Sequence, residues 1–372
     1  YGYRTYLLQR YDTLDGSIER NDIFASLGNT LNHLTLKTSA SLRSASTTNP
    51  FEKDTILIST ADRNMDSQLR RILGDNGFAQ GIINTDIVPA LDDEDHDNAQ
   101  LLNMGYDEYA DIYMMLLRMA VFADPEGAGE DYMNGQPGRI FRITPKTQQN
   151  PDPFIFPGLV EPGTGTTEAP LRQTQIKLLG AVRKTIESPD RTITEHPAVI
   201  APVEGVECIR KGQFCLGDNH DAQYSVFPYV KLGITEKSFK LSVNSDDFLI
   251  LVGLNHALTG KGIYTNITPY YYEKQLGTGS LRGDHLIGSA APYIPEEADS
   301  DLFYVAKIAR SCGPEGNKEK YCLEVPSSGY LSIPLDEYIF IMNRAYMETE
   351  TACEPSADEI LEAIVLRVKP KS

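Results

Sequence analysis

The sequence predicts a mainly β chain: two tandem, duplicated β-sandwich-like domains with a few short helices. Three observations carry that reading. Short runs rich in β-branched and aromatic residues recur between turn residues along most of the chain. A stretch dense in Pro, Gly and Thr divides the chain near its middle. Finally, anchors of the first half return in the second. Asp107-Glu108-Tyr109, Arg118-Met119-Ala120 and Arg142-Ile143-Thr144-Pro145-Lys146 are answered by Asp336-Glu337-Tyr338, Arg344-Ala345 and Arg367-Val368-Lys369-Pro370-Lys371. Leu31-Asn32-His33-Leu34-Thr35 likewise resembles Leu254-Asn255-His256-Ala257-Leu258-Thr259. A length of 372 residues suits two domains of about 150 residues and a connector. The expected division is a first β-rich domain at 1–146, a connector with one helix at 147–190, and a second β-rich domain at 191–372.

Taken in order, Tyr3 to Tyr11 has strand composition, and Leu14-Asp15-Gly16-Ser17 supplies the turn of a hairpin. Asp54 to Thr60 is a β-branched run bounded by charge. A helix follows, with Asp66 as its cap, Leu69, Ile72 and Leu73 on one face, and Gly74 or Gly77 at its end. Glu108 to Phe122 is apolar and fits helix or buried strand by pattern; its echo Tyr338-Ile339-Phe340-Ile341-Met342 favours strand. After the Pro-rich connector, Leu171, Leu178, Leu179, Val182 and Ile186 form one helical stripe, which Pro189 ends. Strands are expected at Ser225–Leu232, Ser238–Val243, Phe248–Leu254, Thr265–Tyr272, Phe303–Ala309, Tyr330–Ile333 and Ala363–Val368.

Charge narrows the partners. With 52 acidic against 34 basic side chains and a net charge of −18, the chain would repel nucleic acid. The apolar run Phe248 to Leu254 is far below the ~20 residues of a membrane-spanning helix. The chain opens at Tyr1 without a charged-then-apolar leader, the pattern expected of a processed export product.

Cysteine spacing points the same way. Cys208 with Cys215, and Cys312 with Cys322, flank polar segments and predict two local disulfides in an oxidising compartment; Cys353 is left over. Neither spacing is a zinc ligand set. Asn266-Ile267-Thr268 is the one N-x-[ST] sequon, so Asn266 is the candidate glycosylation site of a glycoprotein.

No motif names an activity. Two acidic loops carry the oxygen ligands that calcium prefers: Asp92, Asp93, Asp95 and Asp97 in one, Asp124, Glu126 and Asp131 in the other. Plain surface charge explains either loop equally simply, and neither follows the EF-hand pattern. Gly217-Asp218-Asn219-His220-Asp221 is a third oxygen-rich turn. Gly277-Thr278-Gly279-Ser280-Leu281-Arg282-Gly283 lacks both phosphate-loop signatures and reads as a hairpin loop. Asp284, His285 and Ser289 are neighbours in sequence, which is no evidence for a triad. His256, at the end of an apolar strand, is the best single candidate for catalysis, against a turn-bonding histidine like His33. Tyr270-Tyr271-Tyr272 offers rings for stacking on carbohydrate, or residues alternating between core and surface.

Gly253-Leu254-Asn255-His256-Ala257-Leu258-Thr259-Gly260-Lys261-Gly262-Ile263-Tyr264-Thr265-Asn266, with Asn343-Arg344-Ala345-Tyr346, resembles segments of uncharacterised secreted proteins of microbes. The resemblance covers the second half and implies a secreted β-rich protein. The expectation is therefore a structural or interaction protein of the extracellular surface that contacts itself or other surface proteins, as a subunit of a filamentous assembly. The alternative is a secreted hydrolase or carbohydrate-binding protein with its site at His256 or the domain junction.

Overall fold

The Tyr-, Leu- and Thr-bearing run Gly2–Asp12 makes the central strand, β1, of the first of several sheets in a computed structural model of the chain. The structure describes residues 2–12, 19–39, 54–92, 99–119, 127, 129–135, 138–147, 150–200, 205–227, 239–313 and 320–371. The protein is mainly β, with a few short helices. Its contacts form two units: Tyr1–Val160 with Val203–His220, and Glu161–Pro202 with Asp221–Ser372. The expected connector at 147–190 is thus divided at Val160, and a short excursion after Pro202 belongs to the first unit.

In unit 1, Glu19–Ser26 (β2) and Leu31–Asn32 (β3) pair with one edge of β1. Ile56–Thr60 (β4) and Ile83–Ile87 (β5) are parallel and joined by Arg63–Asp75 (α1), a crossover that the expected sandwich-like first domain did not include. The cap of α1 is Asp62, whose carboxylate accepts from the Met65 amide at 2.9 Å. Asp66, the expected cap, instead binds Arg70 and Thr85. Leu69 and Leu73 pack inward while Ile72 is exposed. Ile112–Arg118 (β6) pairs antiparallel with β1, and Glu130–Gly135 (α2) follows. A buried ion pair links β1 to β5: Arg4 meets Asp86 at 2.7 Å, while Ser59 donates to the same carboxylate.

The chain continues in unit 2 as Arg172–Ile186 (α3), Arg191–Pro197 (β7) and Val199–Ile200 (β8), then contributes Gly205–Lys211 (α4) to unit 1. At Gly205 a side chain would stand 2.2 Å from the Ser26 carbonyl, so only glycine lets α4 approach β2 so closely. Unit 2 is completed by Ala222–Phe227 (β9), Phe248–Leu254 (β10), Tyr264–Tyr271 (β11), Leu276–Gly277 (β12), Leu281–Arg282 (β13), Phe303–Ala309 (β14), Cys322–Glu324 (β15), Ile339–Tyr346 (β16) and Ile364–Pro370 (β17).

Two sheets result, ordered β15-β14-β10-β17-β7 and β12-β11-β16-β9-β8, with β13 also on β11. Leu249, Leu251 and Ile308 of the first share a core with Ile267, Ile339 and Ile341 of the second, so the two sheets form a sandwich. The other face of the first sheet, with Phe248, Ile250 and Val305, is covered by Leu178, Val182 and Ile186 of α3. Each such side chain contributes about 1.5–3 kcal/mol of burial before ordering entropy is subtracted. Being covered on both faces explains why all seven residues of β10 are buried and why that run is continuously apolar.

The repeated anchors occupy places that match only in part. Arg118 lies opposite Gly2 and stacks on Tyr6; Arg344 lies opposite Asn266 and stacks on Tyr270, four residues along the partner strand in both cases. The Asn-His turn, however, follows β1 in the first half and precedes β11 in the second. Arg142–Lys146 is irregular and exposed, whereas Arg367–Pro370 completes β17. Strands are likewise absent at Tyr330–Ile333, which forms a turn, while 228–238 and the Leu14–Ser17 turn lie outside the described residues.

Candidate functional site

β6 is fixed at both ends. At its entry, Asp111 accepts from the amides of Tyr11 and Asn103 at 3.1 and 2.7 Å, while Arg20 of β2 donates to the carbonyls of Ala110 and Glu108. At its exit, Arg118 donates to the Tyr6 hydroxyl. Between them, the ladder to β1 runs from Gly2↔Arg118 to Gln9↔Ile112, broken by an irregularity between Leu7 and Gln9. This long-range pairing settles the helix-or-strand ambiguity of a Met- and Leu-rich segment.

Tyr6, Leu7 and Gln9 pair with β2 as well as β6, so the two strands flank β1 on opposite edges. The far edge of β6 has no ladder partner among the described residues. Its side chains are apolar from Ile112 to Leu117, with no charge or proline, and Ile112, Met115 and Leu117 are exposed by 38%, 53% and 41%. Of the 24 large apolar side chains exposed among the described residues, 10 fall between Met104 and Ile143. An unpaired row of amides and carbonyls beside apolar side chains is a template for another strand.

The residues singled out for catalysis are arranged differently. His256 is buried in unit 2, with Nδ1 2.9 Å from Oε1 of Glu168. Glu168 also accepts from the Leu361 amide at 2.7 Å and from the Thr259 hydroxyl. Burial opposes charge on both partners, but their mutual attraction and hydrogen bond prevail: His256 is held above its ordinary value and Glu168 below. Glu362, also buried, is pushed up by desolvation. Beside this pair, Lys261 is buried against Glu348 and donates to Glu359 at 2.6 Å and Thr164 at 3.1 Å. Glu168 and Lys261 border a cavity of about 200 Å³. The carboxylate hydrogen bonds of Glu168 tie the 168 loop to the 256 turn and to the 361 strand entry, which is a packing role. Asp284, His285 and Ser289 do not converge: Ser289 accepts from the Val305 amide at 2.9 Å, and Asp284 pairs with Arg282.

The chain matches no known protein family, no curated protein and no solved structure. Its function has to be argued from its own residues.

Of the calcium candidates, Asp92 receives Nε and Nη2 of Arg210, at 3.2 and 2.6 Å. Asp131 is exposed on α2, and Asp93, Asp95, Asp97, Asp124 and Glu126 lie outside the described residues. Among the described residues no three His, Cys, Asp or Glu side chains converge as a metal site. In the 217–221 turn, Asp218 and Asn219 bind the Ser26 amide and Thr30 hydroxyl.

Both expected disulfides are present, Cys208–Cys215 and Cys312–Cys322, each with Cα atoms 5.9 Å apart. Cys353 is buried and belongs to neither disulfide, and burial pushes its thiol up to about 11. Asn266 lies on the outer face of β11, where it accepts from Arg344 and donates to the Tyr264 hydroxyl at 3.2 Å. Tyr270 stacks on Phe340 with centroids 5.0 Å apart, while Tyr271 points into the core. No described helix is long and apolar enough to cross a membrane.

Sequence reasoning missed Glu168, Lys261, Glu348 and Glu359. Only the Gly260-Lys261-Gly262 context marked Lys261 at all, and nothing local to Glu168 signals a partner 88 residues away.

Proposed function

We propose that this chain is an extracellular structural or interaction protein that takes up an extended segment of a partner at the open edge of β6. The observation that carries the reading is the strand Ile112–Arg118 itself: paired on one side among the described residues, and from Ile112 to Leu117 apolar and free of the charges and prolines that protect edge strands. Each added ladder bond contributes about 0.5–1.5 kcal/mol net, so six or seven of them with apolar contacts support binding without a deep pocket. The two disulfides support an oxidising compartment, and the acidic charge supports protein rather than nucleic-acid partners.

The test is binding of extended β-forming peptides to the full chain, measured by fluorescence anisotropy for wild type and Met115→Lys. The expected result is binding that Met115→Lys weakens at least about tenfold. Binding indifferent to Met115 and Leu117 contradicts the reading.

A second reading, carbohydrate binding, is favoured by the outer face of β11 and β16, where Tyr270 stacks on Phe340 and Arg344 lies between Tyr224 and Tyr270. Replacement of Tyr264 and Tyr270 by Ala, assayed on a glycan array, tests it. Loss of a specific glycan signal is the expected result, and an array with no signal for the wild type ends it.

A further inference from the structure

We propose that the partner strand is Arg139–Thr144 of a second copy, so that the chain assembles head to tail through unit 1. This rests on the reading of β6 as a strand acceptor and names its occupant.

The segment Arg139-Ile140-Phe141-Arg142-Ile143-Thr144 has strand composition and is bounded by Gly138 and Pro145. Yet it belongs to no sheet. None of its backbone groups is hydrogen-bonded among the described residues, and Ile140, Phe141 and Ile143 are exposed by 86%, 78% and 58%. Among the described residues, unit 1 therefore presents both halves of one unmade ladder: a six-residue β-forming segment outside any sheet, and the apolar edge Ile112–Leu117 with no outer strand. Pairing in trans satisfies both and brings the exposed apolar side chains of Ile112–Leu117 and Ile140–Ile143 together.

Charge selects this occupant over an arbitrary apolar strand. Within a chain of net charge −18, residues 138–147 carry Arg139, Arg142 and Lys146 and no acidic residue. The approach to β6 carries exposed Asp107 and Glu108. A basic strand entering beside these carboxylates is steered to one edge, and salt weakens the encounter. Arg142 now lies over the Tyr106 ring, 3.6 Å from its centroid, so the segment is held beside the entry of β6 without lying on it. Donor and acceptor are different patches, so the contact is heterologous and propagates into a filament unless a rotation closes it.

The experiment is sedimentation velocity of the full chain, disulfides intact, over a concentration series at low and high salt. Three further samples are run: a donor variant (Ile140→Asp with Phe141→Asp), an acceptor variant (Met115→Lys with Leu117→Lys), and their equimolar mixture. All four changes are at exposed side chains, and an unchanged thermal transition confirms folding. Wild type is expected to form oligomers that grow with concentration and shrink with salt. Each variant alone should associate at least about tenfold more weakly. The mixture should stop at a dimer, because it contains one intact donor and one intact acceptor. A synthetic peptide of residues 138–147 should cap growth, and its scrambled version should not.

An acceptor variant that stays monomeric while the donor variant assembles like wild type overturns the occupant and leaves β6 as an acceptor. Assembly indifferent to both variants overturns both statements. A monomeric wild type at every concentration overturns assembly; hydrogen exchange showing 139–144 and β6 protected in that monomer would identify closure within one chain instead.

Discussion

Among the described residues β6 and β7 are both outermost strands, and they are protected in opposite degrees. β7 reads Arg191-Thr192-Ile193-Thr194-Glu195-His196-Pro197: its charges are held by ion pairs, Arg191 with Asp246 and Glu195 with Arg183, and its last residue is proline. β6 reads Ile112-Tyr113-Met114-Met115-Leu116-Leu117-Arg118 and carries no such device before its final residue. A sheet edge invites pairing by default, so the contrast teaches that β7 carries the devices that discourage strand addition and that β6 lacks them from Ile112 to Leu117. The same contrast holds for polar groups. Unit 2 turns Glu168, His256, Lys261 and Glu348 inward and satisfies them with one another, leaving its most chemically suggestive residues to hold loops together.

If unit 2 is a scaffold, breaking its interior should cost stability and leave association through β6 intact. Lys261→Met leaves Glu348 buried without its cation and is expected to destabilise unit 2 by about 3–5 kcal/mol. Chemical denaturation checks this, and sedimentation of the folded variant should match wild type.

The His256–Glu168 pair sharpens the same point through pH. The folded value of His256 is raised above 6.5, so its contribution to stability is complete below 6.5 and is lost as pH climbs through the raised value. The advantage of wild type over His256→Gln is therefore expected to be largest on the acid side of 6.5 and to shrink as pH rises. Denaturation midpoints of both proteins from pH 5 to about 9 measure it.

At the edges, a single charge should suffice. Met115→Lys is expected to weaken strand addition at least about tenfold, or about 1.4 kcal/mol, with stability unchanged. The reverse change, Glu195→Val with Pro197→Val, uncovers β7 and should create a new but weaker association, less than about tenfold above background by light scattering, because the edge remains half polar.

Most of the fold is legible locally. Phe303–Ala309 appears as the strand its β-branched residues predict, and the Leu178, Val182 and Ile186 stripe of α3 does face a sheet. What local pattern misses is pairing at a distance. The parallel crossover of β4 and β5 depends on contacts between separated segments, and the capping role of Asp62 over Asp66 depends on where the β4 chain turns. The site was half legible. Glu108 to Phe122 stands out as apolar, but that its outer edge is bare follows from the register with β1, which no pattern within the segment encodes. Arg139–Thr144 shows the converse: its composition is that of a strand, and no sheet among the described residues takes it up.

The most direct test of β6 as the partner edge is amide hydrogen exchange at residues 112–118, followed from dilute to concentrated protein. The account predicts that exchange in β6 slows with concentration in wild type, not in Met115→Lys, while β7 keeps its rates throughout. Rates in β6 that stay constant over the range in which the protein associates would contradict it.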